Sequence, residues 1–537
     1  MQKILTTFLF AMTVFGLAAD RAIAQSNSCS TLKQFAAPGV TIESAEPVAA
    51  GGIDASQNPA LPPLPKSWKL PAYCRVHGVI HARTGSDGNS YGIHFELRMP
   101  DDWKGKLFFQ GGGGTDGVVQ PALGLVNFKD APALARGFAV VTEDSGHQGA
   151  ANIAFGNEQQ ARLDYAYNAI GEVARTAKLI IAAYYQKPAS RSYFVGCSNG
   201  GREAMMATQR FPLEFDGAVA GDPGFHLSHA AIAEAWDTET FNSAAPTDAQ
   251  KRPILARSLS PDDLSLVAHA VLQSCDELDG VRDGEINNFQ ACHFDPEVLV
   301  CKGEKTAQCL NRQQVDVLKK SFVGAHDSKG NRLYSGWPWD AGIGDMGWRV
   351  WKLGTSETSQ PNGISATFGL MALSGYFVHP QVPSLNLEHV DFDRISAQVD
   401  DTYKINDATS TDLSTFAAHG GKLLLYEGLS DPVFSASDLI EYYEQFLAAN
   451  GGQEKARGIA RLFLVPGMTH CGGGPATDEF DALSALEHWV EDGIAPESIT
   501  ATGRAFPNRT RPLCAYPQYA AYTGKGNPED AASFACK

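Results

Sequence analysis

After its first two dozen residues, the 537-residue chain has no apolar run long enough to cross a bilayer, which argues against a helical membrane protein. Positive charge is in short supply. There are 43 Lys and Arg against 60 Asp and Glu, a formal net charge of -17, which argues against a nucleic-acid or anionic-membrane partner. There is no H-E-x-x-H and no clustered His and Cys ligand set, so a zinc hydrolase has no support. A glycine-rich stretch exists at Gly111 to Gly117, but it has no G-K-[ST] ending and no G-x-G-x-x-G opening a helix, so a phosphate cradle is the weaker reading. No internal repeat or extended low-complexity tract is present, which leaves a globular fold rather than a solenoid.

The amino-terminal segment has a basic start at Lys3, an apolar middle from Ile4 to Ala19 and an A-x-A end at Ala22-Ile23-Ala24. Those are the parts of a secretory leader, with cleavage expected after Ala24 and export to the periplasm or the medium. Ten cysteines, an even number, fit an oxidising compartment and up to five disulfides. Sequence neighbourhood suggests Cys29 with Cys74, Cys197 with Cys471, Cys275 with Cys292, Cys301 with Cys309, and Cys514 with Cys536, although counting alone does not fix connectivity. A chain of this length exceeds what one core usually organises, so two domains, or a core with a large insertion, are expected.

The chemistry is concentrated at Gly196-Cys197-Ser198-Asn199-Gly200. Residues 191–196 (RSYFVG) read as a short apolar strand and residues 200–209 (GGREAMMATQ) as a helix, so the serine stands on a G-x-S-x-G turn between the two. A hydroxyl is a poor nucleophile at neutral pH and needs a base, itself oriented by a carboxylate. Two later apolar strands supply both: 422–426 (KLLLY) leads into a loop with Asp431, and 461–465 (RLFLV) into a loop with His470. The order Ser198, Asp431, His470 is that of an α/β-hydrolase. Taken singly, a G-x-S-x-G can arise by chance, Asp before Pro is a common turn former and a loop His is commonly just solvated. Cys197 precedes the serine and Cys471 follows the histidine, so a bridge between them would need the same proximity that catalysis needs.

An early strand at 106–110 (KLFFQ) runs into the glycine-rich stretch, which is where this fold presents one oxyanion amide, the other being that of Asn199. The expected architecture is an α/β-hydrolase domain of residues 25–225 and 416–537, with residues 226–415 inserted as a lid. The insertion holds Trp236, Trp337, Trp339, Trp348 and Trp351, which could stack on an aromatic substrate or form its own core. Within it, 276–285 (DELDGVRDGE) has the closely spaced carboxylates and glycines of a calcium loop, bracketed by Cys275 and Cys292; a solvated acidic turn is the alternative. It is not an EF-hand, because Leu278 and Gly280 stand where oxygen donors belong.

Together, GCSNGGR at 196–202, Ser430-Asp431, PGMTHC at 466–471 and the DELDGVRDGE loop resemble the tannase and feruloyl esterase family over nearly the whole mature chain. The resemblance implies a serine esterase acting on hydroxycinnamoyl, galloyl or terephthalate monoesters, with Ser198, Asp431 and His470 as triad and Gly114 and Asn199 as oxyanion donors. It implies a structural Ca²⁺ held by side chains of Asp276, Asp279 and Asp283 and by the carbonyls of Val281 and Glu285. Gln360 and Phe434 are the implied substrate contacts. Relatives that act on terephthalate monoesters carry a lid arginine for the free carboxylate; the matching stretch 359–365 (SQPNGIS) has none, and Gln360 lacks a guanidinium's bidentate, charge-assisted grip. Glu427 also replaces a histidine frequent in relatives. A reading from another class, an exported calcium-dependent binding protein on a hydrolase scaffold, has no need of three triad residues together.

Overall fold

Runs such as 106–110 and 422–426 are apolar without alternation, the pattern of strands covered on both faces. In the computed structural model, which describes residues 28–53, 65, 67–127, 129–382, 385 and 390–537, both lie inside a nine-stranded sheet. The expected leader, 1–24, lies outside the described residues. The sheet is built from β1 (Val40–Val48), β2 (Tyr73–Thr84), β3 (Ser90–Pro100), β4 (Lys106–Gln110) and β5 (Ala139–Glu143). It continues with β6 (Arg191–Cys197), β7 (Gly217–Gly221), β8 (Lys422–Gly428) and β9 (Ala460–Val465). Their spatial order is β1-β2-β3-β5-β4-β6-β7-β8-β9. The first three pairings are antiparallel, and from β5 to β9 every pair is parallel. This is an α/β fold with a mixed, mostly parallel sheet.

The main helices are α1 (Ala169–Tyr185), α2 (Asn199–Arg210), α3 (Leu227–Ala244), α4 (Pro261–Cys275), α5 (Arg312–Val323), α6 (Met346–Lys352), α7 (Ala436–Ala449) and α8 (Ala482–Asp492). Side chains alternate across a strand, so β4 sends Leu107 and Phe109 to one face and Phe108 to the other. The first face packs on α1, α2 and α7 through Ile180, Met205 and Leu439. The second packs on α8 through Leu483, Leu486 and Trp489. Parallel strands need crossovers, and the crossover from β7 to β8 is very long: among the described residues, 222–421 add no strand to the main sheet and carry α3 to α6. These helices bury apolar clusters of their own, one around Trp348, Leu318 and Val271.

All five disulfides join the cysteines that sequence neighbourhood paired: Cys29 to Cys74, Cys197 to Cys471, Cys275 to Cys292, Cys301 to Cys309, and Cys514 to Cys536. Two of them staple the long crossover. No described helix is long and apolar enough to cross a membrane.

Candidate active site

The turn after β6 is strained where chemistry would need it. Ser198 sits at φ 64° and ψ -125°, a conformation that non-glycine residues rarely adopt. A Cβ on Gly196 would meet the Gly200 carbonyl oxygen at 2.4 Å, and one on Gly200 would meet the Gly112 carbonyl oxygen at 2.7 Å. Only glycines let the glycine-rich loop, the turn and the start of α2 come this close. The Ser198 amide donates to the Gly221 carbonyl (3.0 Å), and the Ser198 carbonyl accepts from the Gly224 amide (3.1 Å), so neighbouring β7 holds the bend in place.

Asp431 and His470 stand on the loops after β8 and β9, at the carboxyl ends of the parallel strands. His470 Nε2 is 2.9 Å from Ser198 Oγ, and His470 Nδ1 is 2.7 Å from Asp431 Oδ2. The other Asp431 oxygen accepts from the amides of Val433 (2.6 Å) and Phe434 (3.1 Å), which fixes the carboxylate. The Cys197 to Cys471 bridge spans a Cα distance of 6.0 Å and ties the serine turn to the histidine loop. Burial opposes an imidazolium at His470, but the charge and hydrogen bond of Asp431, with Asp222 and Glu234 farther away, outweigh it and raise its pKa above the ordinary value.

Behind Asp431, the carboxyl oxygens of Asp222, Glu427 and Asp431 lie within 4.8 Å of one another, all three buried. Asp222 accepts from the Gly428 amide (2.7 Å) and the Cys471 amide (3.0 Å), so it joins the aspartate and histidine loops. Among the described residues no N–H or O–H donor reaches the Glu427 carboxyl group; its neighbours are the carboxyl groups of Asp222 and Asp431. Burial, followed by the charge of Asp431, pushes Asp222 up to about 7. Burial, with Asp222 and Asp431 next, holds Glu427 well above the carboxylate range. Three buried anions cannot share so small a volume, so Glu427, the most strongly raised of the cluster, is the member that keeps a proton.

The glycine-rich loop is clamped to α2 by a buried polar network. Tyr165 donates its hydroxyl to the Gly114 carbonyl (3.2 Å) and to Asn199 Oδ1 (3.3 Å), while the Gly112 amide donates to Glu203 (2.9 Å). The Asn199 amide group reaches Asp116 and Glu203, and Arg202 Nε donates to Asn199 Oδ1 (2.6 Å). The Asn199 side chain is therefore consumed, leaving its backbone amide beside Ser198.

Ser198, Asn199 and Gly114 line one cleft together with Leu227, Glu234, Trp351, Phe368 and Phe434. Its free volume is about 50 Å³. Trp351 and Phe434 flank the His470 ring edge-on, with centroids 5.1 and 5.4 Å away. Of the five tryptophans in the long crossover, only Trp351 lines this cleft; Trp348 is core and Trp339 stacks on Phe322. A second, wider hollow of about 670 Å³ is lined by the Cys197 to Cys471 bridge, His470, Gln110, Tyr426, Glu479 and Arg504. Phe434 thus borders the cleft, whereas Gln360 does not. The Asn362 side chain accepts from the Thr355 and Ser356 amides (2.7 and 2.8 Å), pinching this loop into a turn on which Gln360 is exposed.

The arrangement is that of a serine hydrolase, and the comparisons with known proteins are specific. The family model described as tannase and feruloyl esterase matches residues 74–537. The chain belongs to the tannase and feruloyl esterase family. It is a carboxylic ester hydrolase of that family. The mono(2-hydroxyethyl) terephthalate hydrolase of Piscinibacter sakaiensis is 42% identical over 526 residues, covering 89% of this chain and 87% of that one. Among solved structures, an esterase from Aspergillus oryzae superposes with a TM-score of 0.79 at 25% identity, over 95% of this chain and 100% of the other. Feruloyl esterase B from the same organism shares the fold, with a TM-score of 0.77 at 24% identity, over 95% and 99%.

The calcium ligands that the family implies lie in a loop closed by the Cys275 to Cys292 bridge. Asp276 accepts from the amides of Asp283 (3.1 Å) and Gly284, and Asp279 from Val281 (3.2 Å) and Asn287 Nδ2 (2.9 Å). Both carboxylates are buried, and among the described residues neither has an Arg or Lys partner. Asp283 pairs with Arg511 through one oxygen, keeping the other in the loop, and Glu285 turns its carboxylate to Thr477, leaving the carbonyls of Val281 and Glu285 as further oxygen donors. An all-oxygen donor set with two uncompensated buried carboxylates suits a hard divalent cation. Reading the sequence alone missed Asp222, Glu234, Tyr165 and Glu203. For Asp222 there was a signal, since Asp222-Pro223-Gly224 follows an apolar strand just as Asp431 does.

Proposed function

We propose that this family member is an exported esterase that hydrolyses carboxylic esters of aromatic acids through an acyl-enzyme, with Ser198, His470 and Asp431 as its triad. The observation that carries this is the unbroken chain from Ser198 Oγ through His470 to Asp431, 2.9 and 2.7 Å, opening on an aromatic-walled cleft.

In the first step His470 Nε2 takes the Ser198 proton as Oγ attacks the ester carbonyl. Asp431 stabilises the imidazolium, and the backbone amides of Gly114 and Asn199 hold the oxyanion. The alcohol departs with the proton from His470, on the side of the wider hollow, and water repeats the sequence on the acyl-enzyme. The aromatic acyl group belongs in the Ser198 cleft. An apolar cavity of about 150 Å³ accepts benzene, so at about 50 Å³ the cleft admits a ring only when the half-buried Trp351 and Phe368 move apart. That gives residues 226–415 the role of a lid. Calcium would be held by Asp276, Asp279 and Asp283 and the carbonyls of Val281 and Glu285, supplying charge that stabilises the loop and taking no part in the chemistry. The relatives' names supply the substrate classes to try: terephthalate monoesters and feruloyl esters. No arginine lines the Ser198 cleft, which favours neutral aromatic acyl groups over one bearing a free carboxylate.

Initial rates on methyl ferulate, methyl gallate and mono(2-hydroxyethyl) terephthalate, for the wild type and Ser198→Ala, test the reading. Turnover should fall about 10⁴-fold or more in the variant. A Ser198→Ala protein that keeps its turnover, or a wild type inactive on all three, would refute it.

A further inference from the structure

One carboxyl group stands in the Ser198 cleft with no part in the triad. Glu234 projects from α3 into a lining of Leu227, Ala231, Phe368, Ala372 and Phe434. It is buried, and among the described residues the one hydrogen bond to its carboxyl group is a long one, 3.5 Å from the Ser365 hydroxyl. A Cβ on Gly369 would fall 1.8 Å from Glu234 Oε2, so the glycine leaves the space that this carboxyl occupies. Lys352 on α6, whose charge acts on Glu234, is itself bound to Asp237 one turn along α3. A buried carboxyl group in an apolar pocket is expensive unless it is hydrogen-bonded. Its weak internal bonding and its place in the same aromatic-walled cleft as Ser198 leave the substrate as the missing partner.

We propose that Glu234 is a specificity-determining residue of the acyl pocket, hydrogen-bonding a phenolic hydroxyl on the ring of the aromatic acyl group esterified to Ser198. This rests on the esterase reading above and names the acyl class within it: hydroxylated aromatic acids in preference to unsubstituted or carboxylated ones. A phenol can donate to the carboxylate or accept from the neutral acid, so it is held in either state. A terephthalate carboxylate can only accept, and it meets repulsion once Glu234 ionises. The groups facing Glu234 are Lys352 and Asp237, the Ser365 hydroxyl and His470. Burial, against the opposing pull of Lys352, pushes Glu234 up to about 8, so the carboxyl group is mostly neutral at pH 7 and charged above pH 8.

The test is the ratio of kcat/KM for methyl 4-hydroxycinnamate to that for methyl cinnamate, in the wild type, Glu234→Gln and Glu234→Leu. The wild type should prefer the hydroxylated ester by about tenfold, the worth of one hydrogen bond. Glu234→Leu should bring the ratio to near one whatever its absolute rate on methyl cinnamate, and Glu234→Gln should retain part of the preference. Methyl cinnamate turnover also reports that each variant is folded. An unchanged ratio in Glu234→Leu would overturn the proposal while leaving the esterase reading intact. Loss of both esters in the leucine variant with an unaltered ratio in the glutamine variant would also count against it. A wild type that turns over neither ester, nor any of the three esters named above, would remove the esterase reading itself.

Discussion

Replacing Cys197 and Cys471 together by alanine should disable the enzyme well before it unfolds it. The bridge closes a loop of 274 residues, for which the chain-entropy relation assigns about 5.6 kcal/mol at 25 °C, an upper bound because the denatured chain is not fully random. The folded state keeps other ties across the same junction: the Cys471 amide still donates to Asp222 at 3.0 Å, and the parallel pairing of β6, β7, β8 and β9 does not pass through the bridge. The fold should therefore persist at 25 °C with a lowered melting temperature. Catalysis is less forgiving, since a displacement of about 1 Å between reacting groups can cost about 100-fold. His470 Nε2 and Ser198 Oγ are 2.9 Å apart across this very connection. We expect kcat to drop about 100-fold, equivalent to about 2.7 kcal/mol of activation free energy, with an unchanged far-UV circular dichroism spectrum at 25 °C. The control is the Cys301 and Cys309 pair, which closes a loop of only 8 residues away from the triad and should leave kcat alone. A Cys197 and Cys471 double variant within about threefold of the wild-type kcat would refute the argument that the bridge positions the triad.

Two further outcomes can be measured with a melt. Glu427 keeps its proton in the fold far above its ordinary value of 4.5, so between those pH values the folded chain holds a proton the unfolded chain has lost, and stability falls as pH rises. Glu427→Gln carries no titrating proton and should flatten the decline in melting temperature from pH 5 to 9, which amounts to at most about 1.4 kcal/mol per pH unit; equal slopes in both proteins would sink the assignment of the proton to Glu427. Asp222, pushed up to about 7, should leave a residual slope below that pH. Chelation should lower the melting temperature of the wild type and leave Asp279→Ala, already destabilised, unmoved; a wild-type melt indifferent to chelator, with no metal found by elemental analysis, would remove calcium from the loop.

Local chemistry made much of this molecule legible in one dimension. Glycines around Ser198 announce a bend that only they permit, and unbroken apolar runs at β4, β8 and β9 announce strands covered on both faces, because backbone freedom and hydrophobic period act over a few residues. The positions of Asp431 and His470 after such strands, and of a cysteine beside each end of the Ser198 to His470 contact, followed from the same short-range patterns. Strands β1 and β2 were not legible, since Pro47 in β1 and Arg75 and His77 in β2 interrupt their apolar character, even though β2 pairs with β3 across the short turn from Thr84 to Ser90. Nor could any pattern show that Glu427 meets Asp222 across 205 residues, that Glu234 enters the Ser198 cleft, or that Asn362 turns Gln360 outward. A single residue's neighbours across such distances are set by the packing of whole layers, and whether a buried carboxyl group is ionised depends on them, so the protonation of this site was decided only in three dimensions.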